Sequence, residues 1–362
     1  MEKGEIDEAI GAFHRALEID PKYAEAYNSL GAALSDKGEL KKALKSFRRA
    51  LEIDLDLPET QNNIRNTLGQ QIPEWHFFML ADSVRNKAYL RAIQKAVDAS
   101  SRVLDIGTGT GLLALIAARA GAAEVVACEI SKPIAEAAQQ IVRDNGYLDK
   151  ITVINKKSTQ LILGSDIREP ANLLIFEIFD AGLLGEGLLP SLRHAFRNLV
   201  TPDVRLIPQA ASIYGMLIET SRLRTVNPVS SICGFDFSAF DRFRNPHDYG
   251  SFQLKHEEHK RLTDPFFVKK FEFDKIPVPI PHANPHKMTL EKLVIQDGTV
   301  HAIAFWFDLH LDDDTTISNG PEGELIHWGQ AVQFFEGDKQ VQKKERVRFT
   351  MTYSDLQILF IL

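Results

Sequence analysis

Apolar and polar positions change their rhythm several times along the chain. Over residues 1–70, small and aromatic residues return at helical spacing, as Ala9, Phe13 and Ala16 and then as Ala43, Phe47 and Ala50, which predicts paired amphipathic helices. Beyond Ser100 the rhythm shortens. Val103–Ile106 is a brief apolar run, followed by glycines and then by a helical stretch over Leu112–Ala120. Glu124–Cys128 forms a second short strand that ends at Glu129. The run Leu173–Phe179 reads as a buried parallel strand interrupted by one carboxylate, Glu177. Towards the end, Ala302–Phe307 and Arg346–Thr352 run or alternate as strands, with Trp306 read as packing.

The first rhythm is a repeat. Gly4-Glu5-Ile6 returns as Gly38-Glu39-Leu40 and Arg15–Asp20 returns as Arg49–Asp54, both at an offset of 34 residues. That is the tetratricopeptide period, in which small residues let paired helices approach and an aromatic fills the gap. An ordinary helical hairpin is the plainer alternative, and two in-register copies weigh against it. The first copy begins at its second helix and the third, from Pro58, fades after Leu68. One complete repeat is short of the three or so that stack stably. The expectation is that the helices cap on the next domain or belong to a longer array. Residues 1–70 therefore read as a module that recruits protein partners.

Composition narrows the field. The chain has 362 residues, with 42 Lys+Arg against 49 Asp+Glu, a net charge of −7. A dedicated nucleic-acid binder would carry a basic excess. The longest apolar run near the middle, Leu112–Ala118, is stopped by Arg119, and no signal peptide is visible. Two cysteines, Cys128 and Cys233, build no disulfide framework. The expectation is a soluble, cytosolic protein in a reducing compartment, with neither membrane nor nucleic acid as a direct partner.

The glycine turn names a cofactor class. Asp105 precedes Gly107, Gly109 and Gly111, and Glu129 follows 18 residues after the last of these. Glycines let the backbone approach a ligand, the helix start offers free N–H groups, and an acid at Glu129 is placed to accept from ribose hydroxyls. Dinucleotides ask for G-x-G-x-x-G, whereas the spacing here is G-x-G-x-G. Asp105 would repel a diphosphate but suits the amino group of S-adenosylmethionine. A dinucleotide and a purely structural turn stay open as the lesser alternatives.

Glu177 and Glu186 stand nine residues apart, with Gly182, Gly185 and Gly187 between or beside them to permit a tight loop. An unpaired carboxylate within a buried strand is costly, so Glu177 requires a partner or a ligand. Two converging carboxylates make a metal site, an acid/base pair or a clamp for a cation. His and Cys ligands are not near, and a planar guanidinium matches carboxylates in fork geometry. The alternative is a structural ion pair at Glu177 and a solvated acid at Glu186. The run Asp312–Asp314 reads as a solvated turn, with attraction of a basic substrate as the lesser alternative.

Over residues 71–362 the chain resembles the protein arginine methyltransferases, most of all the protein arginine methyltransferase 9 branch, with type 7 next; Phe179–Gly187 is the most specific phrase. The resemblance implies a Rossmann-like class I methyltransferase domain over 71–208 and a C-terminal β-barrel substrate domain over 209–362, with a dimerisation arm near 228–262. By the same resemblance, Trp75–Arg85 corresponds to an active-site helix on which Arg85 holds the cofactor's methionine carboxylate and Met79 lines both cofactor and arginine pockets. Lys157 and Ser158 fall at the adenine contact, where Thr159 replaces the family's usual acid. Ile326-His327-Trp328 resembles the loop that closes the arginine pocket, giving Trp328 a place there and His327, paired with Asp82, the role of proton acceptor or organiser. Relatives of types 7 and 9 carry two tandem catalytic modules and this chain carries one, so a homodimer is expected.

The implied activity is methyl transfer from S-adenosylmethionine to a guanidinium nitrogen of a protein arginine, gripped by Glu177 and Glu186. Two rivals stand beside it. A small-molecule methyltransferase would show the same cofactor motif, and a helical-repeat scaffold would carry a vestigial methyltransferase fold.

Overall fold

A computed structural model describes residues 3–225, 229, 231–243, 248–276, 279–280, 284–324 and 326–362. It separates into two compact units, Met1–Met79 and Leu80–Leu362.

In the first unit the 34-residue repeat becomes helices α1 (Lys3–Ile19), α2 (Ala24–Asp36), α3 (Leu40–Ile53) and α4 (Pro58–Gln71). Leu30, Leu34, Ala43 and Phe47 form its core, with Ile10, Phe13, Leu17 and Ile64 packed against it. Gly31 shows why the repeat alternates small and aromatic residues: a Cβ there would stand 2.5 Å from the Phe47 ring. The last helix continues to Gln71, past Leu68 where the pattern of the repeat fades.

The stretch Trp75–Arg85 is not one helix. It divides into α5 (Trp75–Ala81) and α6 (Ser83–Ala96), because Asp82 leaves helical geometry and caps α6 by accepting from the Arg85 N–H.

The second unit opens as a parallel sheet. Strands β1 (Arg102–Ile106), β2 (Glu124–Cys128), β3 (Ile151–Ile154), β4 (Ala171–Phe176) and β5 (Val200–Ile207) lie in the order β3-β2-β1-β4-β5, with α7 (Leu112–Arg119), α8 (Lys132–Asp144) and α9 (Leu188–Asn198) between them in sequence. β1 pairs with both β2 and β4, so the winding direction reverses beside its carboxyl end, where open α/β sheets bind ligands. β4 stops at Phe176, three residues short of the apolar run. Glu177 is therefore the first residue beyond the strand, which lifts its charge out of the sheet.

The remainder is β: β6 (Ala210–Glu219), β7 (Ser231–Ile232), β8 (Phe235–Asp236), β9 (Gly250–Phe252), β10 (Lys260–Arg261), β11 (Phe266–Glu272), β12 (His286–Leu293), β13 (Gly298–His310), β14 (Thr316–Ser318), β15 (Gln330–Val341), β16 (Arg346–Tyr353) and β17 (Ile358–Ile361). Seven strands curl around the path β10-β6-β13-β15-β9, with β11 on β6 and β14 on β13, while β12-β16-β17 make a smaller sheet. Among the described residues these pairings give curled sheets and do not close a ring, so the expected barrel is a curled β-sheet domain. Of the expected arm, β7 and β8 pair as a small hairpin, while 226–228, 230 and 244–247 lie outside the described residues. Trp306 is buried in a cluster with Met216, Ile218 and Phe334, as packing requires. The Asp312–Asp314 turn is more than solvated acid: Asp312 and Asp314 pair with Lys95 of α6. Among the described residues no helix is long and apolar enough to cross a membrane.

Candidate active site

Three strand ends and two loops meet at the carboxyl edge of the parallel sheet. Asp105 is the last residue but one of β1 and is fully buried, and its Oδ2 accepts from the Thr108 hydroxyl at 2.6 Å. Gly107, Gly109 and Gly111 all have positive φ, which a side chain would resist. At Gly107 space is lacking as well, since a Cβ would stand 2.3 Å from Ile178. Glu129, just past β2, accepts from the Gly109 N–H at 3.1 Å and the Ser131 N–H at 2.7 Å, tying the glycine turn to the next strand.

Beside this turn lies a cluster of four polar side chains. Arg85 Nη2 donates to Glu177 Oε2 at 2.6 Å, and both side chains are almost fully buried. Arg85 Nη1 donates to Asn86 Oδ1 at 2.8 Å, and the guanidinium lies 5.2 Å from the centre of the Tyr89 ring. Asp82 Oδ2 lies 2.9 Å from both the backbone N–H and Nδ1 of His327. The far nitrogen, His327 Nε2, is 3.8 Å from Glu177 Oε1. Asp82, His327, Glu177 and Arg85 thus form one chain of contacts. Burial opposes the charge on Asp82, but hydrogen bonds from His327 and from the Arg85 and His327 backbone hold its carboxyl below the usual range.

Two buried atoms in this region have no partner, Arg85 Nε and Asp105 Oδ1. One is a cationic donor and the other a carboxylate acceptor. A ligand end carrying both a carboxylate and an ammonium would satisfy the pair, as the methionine portion of S-adenosylmethionine does. Burial pushes the Asp105 carboxyl up to about 7, against the Thr108 hydrogen bond and the Arg85 charge. A bound ammonium would draw it back down.

The other predicted residues are placed less centrally. Trp328 is buried, and its Nε1 donates to the Phe179 carbonyl at 2.9 Å, so it pins the start of the glycine loop. Ser158 pairs through its hydroxyl with Ser191 of α9 at 2.9 Å, and Lys157 is exposed beside it. Met79 is the last residue of the first unit. Glu186 is exposed at the surface, yet protein mass crowds it and Glu177, Asp180 and Glu129 act on it, pushing its carboxyl up to about 7.

Tyr89, Asn86, Asp180 and Tyr249 belong to the site's framework and were not singled out from the sequence. The Tyr89 hydroxyl donates to the Phe176 carbonyl at 3.1 Å, next to Glu177. Its spacing of one helical turn from Arg85 was a usable signal. Tyr249 has no comparable signal, since it reaches Asp180 across 69 residues.

Known proteins share this layout. Residues 209–357 match the arginine methyltransferase oligomerization subdomain, and residues 86–185 match the ribosomal protein L11 methyltransferase model. The first unit matches tetratricopeptide repeat models over 1–38 and 24–56. The arginine N(omega)-methyltransferase of Streptomyces achromogenes is 35% identical over 80% of this chain and 78% of its own length. Protein arginine N-methyltransferase 9 of mouse is 31% identical over 97% of this chain and 45% of its own length. Protein arginine N-methyltransferase 7 of indica rice is 36% identical over 72% and 40%. The chain thus spans less than half of the mouse and rice relatives. Among solved structures, the Trypanosoma brucei PRMT1 enzyme-prozyme heterotetrameric complex with AdoHcy superposes with a TM-score of 0.66 at 25% identity, covering 78% of this chain and 89% of that one. Arabidopsis thaliana protein arginine methyltransferase 10 has the same fold, with a TM-score of 0.64 at 20% identity over 79% and 89%. The chain belongs to the S-adenosylmethionine-dependent arginine N-methyltransferase family.

Proposed function

We propose that the chain transfers the methyl group of S-adenosylmethionine to a guanidinium nitrogen of protein arginine, with Glu177 and Glu186 gripping the guanidinium. The observation that carries this reading is membership of the arginine N-methyltransferase family; the buried Glu177–Arg85 contact is the structural ion pair of the alternative, and it shows that this carboxylate engages a guanidinium. The same carboxylate keeps Oε1 towards His327, which Asp82 orients. S-adenosylmethionine supplies the electrophilic methyl when bound. Arg85 and Asp105 would hold its amino-acid end, the glycine turn and Glu129 its ribose, and Lys157 with Ser158 its adenine.

Arginine is a poor nucleophile because its lone pairs are delocalised. Two carboxylates draw the positive charge to one side and leave density on the nitrogen facing the methyl. Alignment of the reactants lowers the barrier further. The product loses its proton readily, so His327 with Asp82 needs only modest basicity. Trp328 would border the arginine.

The test is labelled S-adenosylmethionine offered with arginine-rich peptide and with free arginine, followed by hydrolysis and identification of the methylated product. Free arginine is included because the Streptomyces relative's name specifies arginine without a protein. Methylarginine in the peptide supports the reading. Label on another metabolite favours a small-molecule enzyme, and cofactor binding without transfer favours a scaffold.

The repeat helices would recruit the protein substrate. Assembly as a homodimer fits the oligomerization-subdomain match and the arm, where Phe235, Phe240 and Phe243 are each more than three-fifths exposed. Light scattering at micromolar concentration should give a dimer mass; a monodisperse monomer refutes it. A reducing cytosol fits cysteines that are free among the described residues.

A further inference from the structure

The loop that carries Glu186 is held from a distant part of the chain. The Tyr249 hydroxyl donates to Asp180 Oδ2 at 2.6 Å, and the Gly185 N–H donates to Asp180 Oδ1 at 2.8 Å. Both carboxylate oxygens are engaged, one by Tyr249 and one by the residue directly before Glu186. The Leu183 N–H closes the turn onto the Asp180 carbonyl at 3.0 Å.

The glycines of this loop have divided roles. A Cβ on Gly182 would stand 2.2 Å from the Tyr249 ring, and one on Gly185 would stand 2.6 Å from Asp180 Oδ2. Neither has a positive φ. The left-handed positions are Gly187 (φ 79°) and, against preference, the buried Leu183 (φ 80°). Gly182 and Gly185 are small so that Tyr249 and Asp180 can come close, and those contacts hold a strained turn in place.

Tyr249 has its own anchorage. It directly precedes β9, which pairs with Gln330–Val332 of β15. Its ring meets Phe305 edge-on at 5.3 Å between centres. Gln253, just beyond β9, donates to the Ile326 carbonyl at 3.0 Å, at the root of the His327 loop. One short segment therefore braces both loops of the site.

We propose that Tyr249 is a positioning residue for Glu186, holding Asp180, and through it Gly185, in the arrangement that captures the guanidinium. The proposal rests on the reading of Glu186 as one arm of the clamp. The groups facing Glu186 are Glu177 beyond β4, Glu129 beyond β2 and Asp180 in its own loop; burial and these three acids raise its carboxyl to about 7. Burial and the Asp180 charge raise the Tyr249 phenol, so it remains a donor at every working pH. Its hydrogen bond draws charge from Asp180 and weakens the repulsion on Glu186.

Tyr249→Phe keeps the ring and removes the donor. Expected are a kcat about ten-fold lower, an unchanged KM for S-adenosylmethionine and an acid limb moved upward by about half a pH unit. Carbon-13 titration of glutamate-labelled protein reads the same displacement at Glu186 without turnover. In an Asp180→Asn background, Tyr249→Phe should add no displacement. A Glu186 titration unmoved by Tyr249→Phe overturns the proposal, and so does an equal effect with and without Asp180→Asn. Full arginine methylation by Glu186→Gln strikes the clamp reading instead and leaves the titration result standing.

Discussion

Glu177 leaves the end of β4 into a buried ion pair with Arg85, whereas Glu186 stands at the exposed end of a glycine loop where the charged groups acting on it are acids. The first is placed by the sheet, since β4 pairs on both sides and ends at Phe176. The second is placed by a turn that a distant tyrosine holds. On the proposed clamp, the pair teaches how two like charges would be kept near one ligand. One is compensated by the protein itself, and the other has only acids acting on it, which with burial push its carboxyl up to about 7. A cation bound as proposed would relieve the second more than the first.

The widest separation between the two should come from Glu177→Ala. Leaving the buried Arg85 cation without its partner should cost about 3 kcal/mol. Calorimetry should show a clear fall in Tm, and methyl transfer should be abolished. A variant with wild-type Tm would mean that the pair is not what holds this strand end.

Glu186→Gln should lose about a hundred-fold in kcat and yet unfold no sooner. The sign follows from protonation. A carboxyl raised to about 7 in the folded chain against about 4.3 unfolded favours folding fully only below the unfolded value. That contribution is lost as pH rises through about 7. The variant carries no such loss, so its Tm should exceed the wild type's at about pH 8 and match it at about pH 3, each about one unit outside the window. Equal Tm values across that range would remove the contrast with Glu177.

Gly185→Ala should have the smallest effect of the three, about five-fold in kcat, because the new methyl pushes on Asp180 and displaces the loop by a fraction of an ångström. Gly187→Ala tests a different cost, since its φ of 79° resists any side chain. If the first is silent and the second is not, close approach is not why Gly185 is glycine.

Much of this was legible along the chain because it is local. The 34-residue offset declares paired helices, and Gly31 against Phe47 realises the alternation of small and aromatic residues. The three positive-φ glycines between β1 and α7 declare a backbone that must pass close to a ligand. Glu177 declared itself by its cost within an apolar run. Two expectations give way for local reasons: β4 ends before Glu177, and Asp82 divides the stretch that the family resemblance takes as one helix.

What periodicity and spacing settled, then, were the elements, the cofactor turn and the two acids, since these depend on neighbours within a few residues. The fold alone decided partnership. It set Arg85 against Glu177 across 92 residues and Tyr249 against Asp180 across 69, whereas the Asp82–His327 contact across 245 was expected from the family resemblance and not from spacing. A hydrogen bond depends on where two chain segments are brought together, and spacing along the chain carries no record of that.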